Sequence, residues 1–179
     1  MRSTIQLSPL DNLLVQSYST IALLFELKNA KFLSSEYFKN LKIEDELSRY
    51  ILQNVDIDNQ GLLLITFYVL LVIPKEKFEE IYKNDFNELN TFINKVVISK
   101  PETNYKDDIP NVNYIRHIRN AIAHCKVKFE PTKTVTFFDE DKKTQEKCKF
   151  TIPLKEIGEI ITKLQKAYIN FLKSKVKSI

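Results

Sequence analysis

The sequence predicts a mainly all-α fold, a helical bundle with one small β-hairpin placed before its C-terminal helix. Apolar residues recur at helical spacing along most of the chain, from Leu10, Leu13 and Leu14 near the start to Leu164, Tyr168 and Leu172 near the end. The pattern changes to an apolar–polar alternation at residues 132–138 and 147–152, the mark of two half-buried strands. No internal repeat, low-complexity stretch or composition boundary interrupts the chain, so residues 1–179 read as a single domain.

Each element has a local cause. Ser8 and Pro9 supply an N-cap and a first-turn proline, so a helix should run to about Lys28 with Leu10, Leu13, Leu14, Ser17, Ile21, Leu24 and Leu27 turned inward. Ser34, Ser35 and Glu36 open a second helical region to about Gln53, broken near Lys42. Residues 56–61 read as a turn. The apolar run 62–73 predicts a third helix, and residues 74–97 a fourth. Residues 99–110 (SKPETNYKDDIP) are polar and proline-bounded, hence a loop, with Asp107 and Asp108 just ahead of the next helix, where negative charge suits an N-terminus. Asn111 or Asn113 caps that helix. The hairpin, at about 132–152, closes over the charged residues 139–145 without an Asn-Gly turn. Pro153 starts a last helix at about 153–175, and its lysine-rich end, 173–177, reads as a solvated tail.

Composition narrows the function. Hydrophobic content of 44% and a net charge of +4 fit a soluble globular chain and exclude a disordered one. The start, residues 1–7, lacks the cationic and apolar pattern of a secretion leader. The longest apolar run, 62–73, is too short to span a bilayer and reads as a core helix, so no membrane partner is expected. Cys125 and Cys148 are too few and too far apart for a disulfide framework or a zinc motif; reduced thiols in a cytoplasmic protein are expected.

Residues 114–125 (YIRHIRNAIAHC) concentrate what chemistry the chain has. Both of its histidines and two of its four arginines fall there, although lysine carries the positive charge elsewhere. Arginine binds phosphate through a planar fork that lysine lacks. At about 100° per residue, Tyr114, Ile115, Ile118, Ala121, Ile122 and Cys125 fill one apolar arc. Arg116, His117, Arg119, Asn120 and His124 fill the opposite arc, with Ala123 small enough to admit another backbone. Such a face suits an anionic polymer.

Three chemistries compete for it. Metal binding by this helix alone is disfavoured, because His117 and His124 are separated by a rise of roughly 10 Å and flanked by arginines. A polar face with satisfied histidines is the structural alternative. The third is cleavage of RNA, which carries its own nucleophile in the 2′-hydroxyl. Histidine can exchange the protons and arginine can stabilise the phosphoryl oxygens, with no metal or other cofactor. His117 and Arg116 are then candidates for substrate binding, and Lys126 and Lys128 extend the basic track. Cys125, on the apolar arc, is expected to pack.

The string Arg119-Asn120-Ala121-Ile122-Ala123-His124 resembles the signature of the HEPN superfamily, an arginine followed after four to six residues by a histidine. The wider string IRHIRNAIAH (115–124) resembles bacterial HEPN proteins, and residues 135–172 resemble a tail found in some of them. The resemblance implies an α-helical bundle, a homodimer meeting through the motif helices, and, in active members, a metal-independent endoribonuclease. It implies catalytic roles for Arg119 and His124, a supporting role for Asn120, and a setting in toxin–antitoxin, abortive-infection or other anti-phage systems. A non-catalytic HEPN module that binds RNA or a nucleotide, or dimerises within a defence complex, is the alternative. One subfamily, regulated by a nucleotidyltransferase antitoxin, carries a modified tyrosine two positions after the motif histidine. Here that position is Lys126, which argues against that control system.

Overall fold

Ser8 begins the first helix by accepting a hydrogen bond on its Oγ from the Asp11 backbone N–H at 3.1 Å. In a computed structural model, which describes residues 7–57, 59–130 and 133–176, this helix is α1 (Pro9–Asn29). The readings made on residues 1–6, on Thr132 and on Lys177 lie outside the described residues. Leu14 and Ile21 of α1 are buried, whereas Leu13 is exposed, so the inward stripe is narrower than expected. The region after it is broken as predicted. Ser35 caps α2 (Glu36–Asn40) and Asp45 caps α3 (Glu46–Asn54).

The apolar run forms α4 (Gln60–Phe67) and continues as a π-type turn through Val72. That turn has a physical cause next door. Pro74 has no N–H to give, and the buried Tyr168 donates its hydroxyl to the Val69 carbonyl instead, at 2.8 Å. The predicted fourth helix is kinked at Tyr82 into α5 (Lys75–Ile81) and α6 (Lys83–Val96), and both Phe78 and Phe86 reach the core. α7 (Tyr114–Ala123) is capped by Asn113, whose side chain accepts from Arg116 N. The last helix is α8 (Leu154–Val176), and its Lys175 is paired with Asp11 of α1 at 2.7 Å, so that lysine of the tail is anchored.

The β part is larger than a hairpin. Four antiparallel strands lie in the order β1-β4-β3-β2: β1 (Glu102–Thr103), β2 (Val127–Glu130), β3 (Thr134–Asp141) and β4 (Glu146–Pro153). β3 runs on through Asp139, which was expected in the connection. Along β3, Val135, Phe137 and Asp139 are all buried, at every second residue as the pleat requires. Thr103, Cys148 and Asp139 stand in one row across β1, β4 and β3. The sheet and helices α4, α6, α7 and α8 share one core, in which Phe67 meets Phe137 edge-on and Tyr114 meets Phe150. The fold is mainly helical, and no described helix is long and apolar enough to cross a membrane.

Candidate functional site

α7 buries the predicted apolar arc from Tyr114 to Ile122. The helix ends in a Schellman arrangement: Lys126 N donates to the Ala121 carbonyl at 2.8 Å, and Cys125 N to that of Ile122 at 3.2 Å. Cys125 occupies the left-handed position at φ 53°, usually a glycine's. This corrects its expected packing role. The reversal of the chain turns its side chain out to solvent, where it is exposed. The same reversal leaves His124 exposed at the helix end and sends the chain directly into β2.

His117 differs most from the expected face. It is completely buried, not turned outward with His124. The cause is tertiary: the 99–113 loop and β3 close over that side of α7. Its Nδ1 lies 2.7 Å from Asp139 Oδ2, and its Nε2 lies 2.9 Å from Asp108 Oδ2. Asp108 also accepts from Thr103 Oγ1 at 2.5 Å, Asn113 N at 3.3 Å and Arg116 Nη2 at 3.2 Å. Asp139 also accepts from Asn120 Nδ2 at 3.0 Å. Both carboxyl groups are thus surrounded by donors and act as acceptors only. Both imidazole nitrogens are thus held within hydrogen-bond distance of a carboxyl oxygen.

The surroundings agree. Burial would raise the Asp139 carboxyl, but hydrogen bonds from His117 and Asn120 outweigh it and hold the group below the ordinary carboxylate range. Burial, reinforced by the Asp139 charge, pushes the Tyr105 phenol up to about 12. The Tyr105 ring lies 4.9 Å from that of His117 and 5.0 Å from the Arg116 guanidinium carbon. Asp108, His117 and Cys148 also place potential metal-ligand atoms within 4.8 Å of one another. However, the His117–Asp108 contact is a hydrogen bond, and Arg116 Nη2 stands 3.5 Å from His117 Nε2. Burial also pushes the Cys148 thiol up to about 12. A dication would have to displace that proton and face the guanidinium, so the cluster as built is an ion-paired one.

The remaining predicted residues fall around two depressions. Arg116, Asn120, His124 and Lys126 line a cleft of about 910 Å³, joined by Tyr105 and Asp139. Arg119 lines a smaller hollow of about 360 Å³ on the other side of Arg116, together with Glu79 and Lys83. The motif arginine and motif histidine of one chain therefore do not share a depression. Three cations of the track, Arg116, Arg119 and Lys126, have an acid nearby. Arg116 is paired with Asp107 and Asp108, Arg119 lies 3.6 Å from Glu79, and Lys126 lies 2.9 Å from Glu140. Residues 114–128 contain no acid of their own, so these carboxylates are brought to the segment by the fold.

Asp108, Asp139 and Tyr105 are the site residues that sequence reasoning missed. Asp139 left a signal, an acid two residues beyond Phe137 in the inward register of β3. Asp108 left none, since its burial depends on a loop crossing α7. No curated protein and no solved structure matches the chain. A family model described as HEPN pEK499 p136 matches residues 8–175, and the chain belongs to that HEPN family.

Proposed function

We propose that the protein is a metal-independent endoribonuclease acting as a homodimer. The carrying observation is the contrast between its two histidines. His117 is locked between carboxylates, whereas His124 is exposed on the wall of a cleft shared with Asn120 and Arg116. Each chain thus offers one free imidazole, and an acid–base pair requires a second copy. Joining two α7 helices would also bring Arg119 of one chain to His124 of the other.

In this reading the 2′-hydroxyl attacks the adjacent phosphorus, forming a cyclic phosphate and releasing the 5′-oxygen as a hydroxyl. His124 exchanges a proton with the entering or leaving oxygen, Arg119 stabilises the charge on the phosphoryl oxygens, and Arg116 and Lys126 hold flanking phosphates after leaving their acids. A cytoplasmic toxin or anti-phage role, with an antitoxin or defence-system partner, fits this chemistry. The acids around the cleft, Asp107, Glu140, Asp141 and Glu146, favour a second reading, a non-catalytic module whose basic groups are internally neutralised.

The test is RNA cleavage in the presence of a chelator. Wild type should cut, and His124→Ala should be slower by about 100- to 10,000-fold while still folding, because its side chain is exposed. Arg119→Ala should also lose activity, and a 2′-deoxy residue at the cut should block it. Equal RNA binding by all three proteins without cleavage would establish the module instead.

A further inference from the structure

We propose that Asp139, held by the buried His117, is a positioning residue that fixes the Asn120 amide so that its carbonyl oxygen faces the cleft as a hydrogen-bond acceptor for substrate. One oxygen, Asp139 Oδ2, receives both His117 Nδ1 at 2.7 Å and Asn120 Nδ2 at 3.0 Å. A carboxylate can only accept, so the amide nitrogen must be the atom turned toward it. That leaves Asn120 Oδ1 on the opposite side of the amide, with no hydrogen bond to another described residue and no enclosure in the core. Asn120, Asp139 and His124 border the same cleft.

The consequence concerns what Asn120 can recognise. A carbonyl oxygen cannot bond a phosphate oxygen, since both are acceptors. Its partner has to be a donor, a ribose hydroxyl or a nucleobase amino group. Asp139 cannot be released easily from its task, because the buried His117 beside it is tied on the far side to Asp108. The chain Asp108–His117–Asp139–Asn120 runs from the 99–113 loop through α7 to the sheet and back to the cleft wall. This inference rests on the ribonuclease reading for its substrate, but its geometry can be tested without cleavage.

The experiment uses the full chain labelled with ¹⁵N at neutral pH. In wild type, His117 should carry a hydrogen on Nδ1, and the Asn120 side-chain amide should exchange slowly with solvent. In Asp139→Ala that exchange should be about tenfold faster or more. The KM for RNA should rise about tenfold or more with a smaller change in kcat. Asp139→Asn, which keeps an oxygen in place, should recover part of both effects and guards against misfolding of the alanine variant. In an uncleaving His124→Ala background, adding Asn120→Ala should weaken binding of RNA alone if the partner is the 2′-hydroxyl, or of RNA and DNA alike if it is a base. Unchanged binding of both, a His117 Nδ1 without a hydrogen, or folded Asp139 variants with wild-type amide exchange would overturn the proposal. Absence of cleavage by wild type would instead sink the ribonuclease reading, leaving the amide measurement to decide this one.

Discussion

His117 and His124 sit seven residues apart on one helix and end in opposite environments. The helical wheel placed both among the polar residues correctly, but polarity of neighbours does not determine exposure. A histidine can be buried if acids arrive to meet it, and here they come from a loop and from a strand. The Asp139 carboxyl has a direct pH consequence. Its folded value lies below the ordinary one, so its contribution to stability is complete well above about pH 4 and is lost as pH falls through the folded value. Urea midpoints measured between pH 6 and pH 3 should therefore decline more steeply for wild type than for Asp139→Asn. Parallel declines would mean that Asp139 is not linked to folding. Arg119, Asn120 and His124 were legible because a motif is local; their carboxylate partners were not, because Glu79 and Asp139 are brought in by the fold.

Among the elements, α7 and the strands that follow it form a continuous unit. The helix needs an abrupt stop so that β2 can pair with β3, and the left-handed Cys125 provides it at a conformational cost. Cys125→Gly should remove that cost and raise stability by about 1 kcal/mol, read as a higher thermal midpoint. A lower midpoint would mean that the exposed thiol contributes a contact worth more than the relieved backbone. The β3–β4 pair was readable from alternation, as were the caps of α1 and α2 from serine and proline. β1 and β2 were not, since strands of two and four residues carry too little alternation to stand out. The kink at Tyr82 was equally hidden, because helical spacing persists across it.

At the scale of the whole molecule, the separation of Arg119 from His124 into different depressions bears on how copies would cooperate. If a working site draws its arginine from one chain and its histidine from another, two dead proteins can complement each other. Mixing Arg119→Ala with His124→Ala, after reversible unfolding to exchange subunits, should restore part of the RNA cleavage that neither has alone. A mixture as inactive as its components would argue for a site completed within each chain. The mainly helical bundle was legible from periodicity, yet the surface that carries the site was not. Its charge is set by which acids the 99–113 loop and the sheet lay beside α7.

The bond from Tyr168 to the Val69 carbonyl joins the end of the chain to its middle. A ribosome that has not yet made α8 holds a chain in which the Val69 carbonyl lacks this donor and the core lacks Ile160, Leu164 and Phe171. α8 must be made before the core around α7 can close. Whatever activity the motif helix confers is thereby withheld from a copy that stops short of α8.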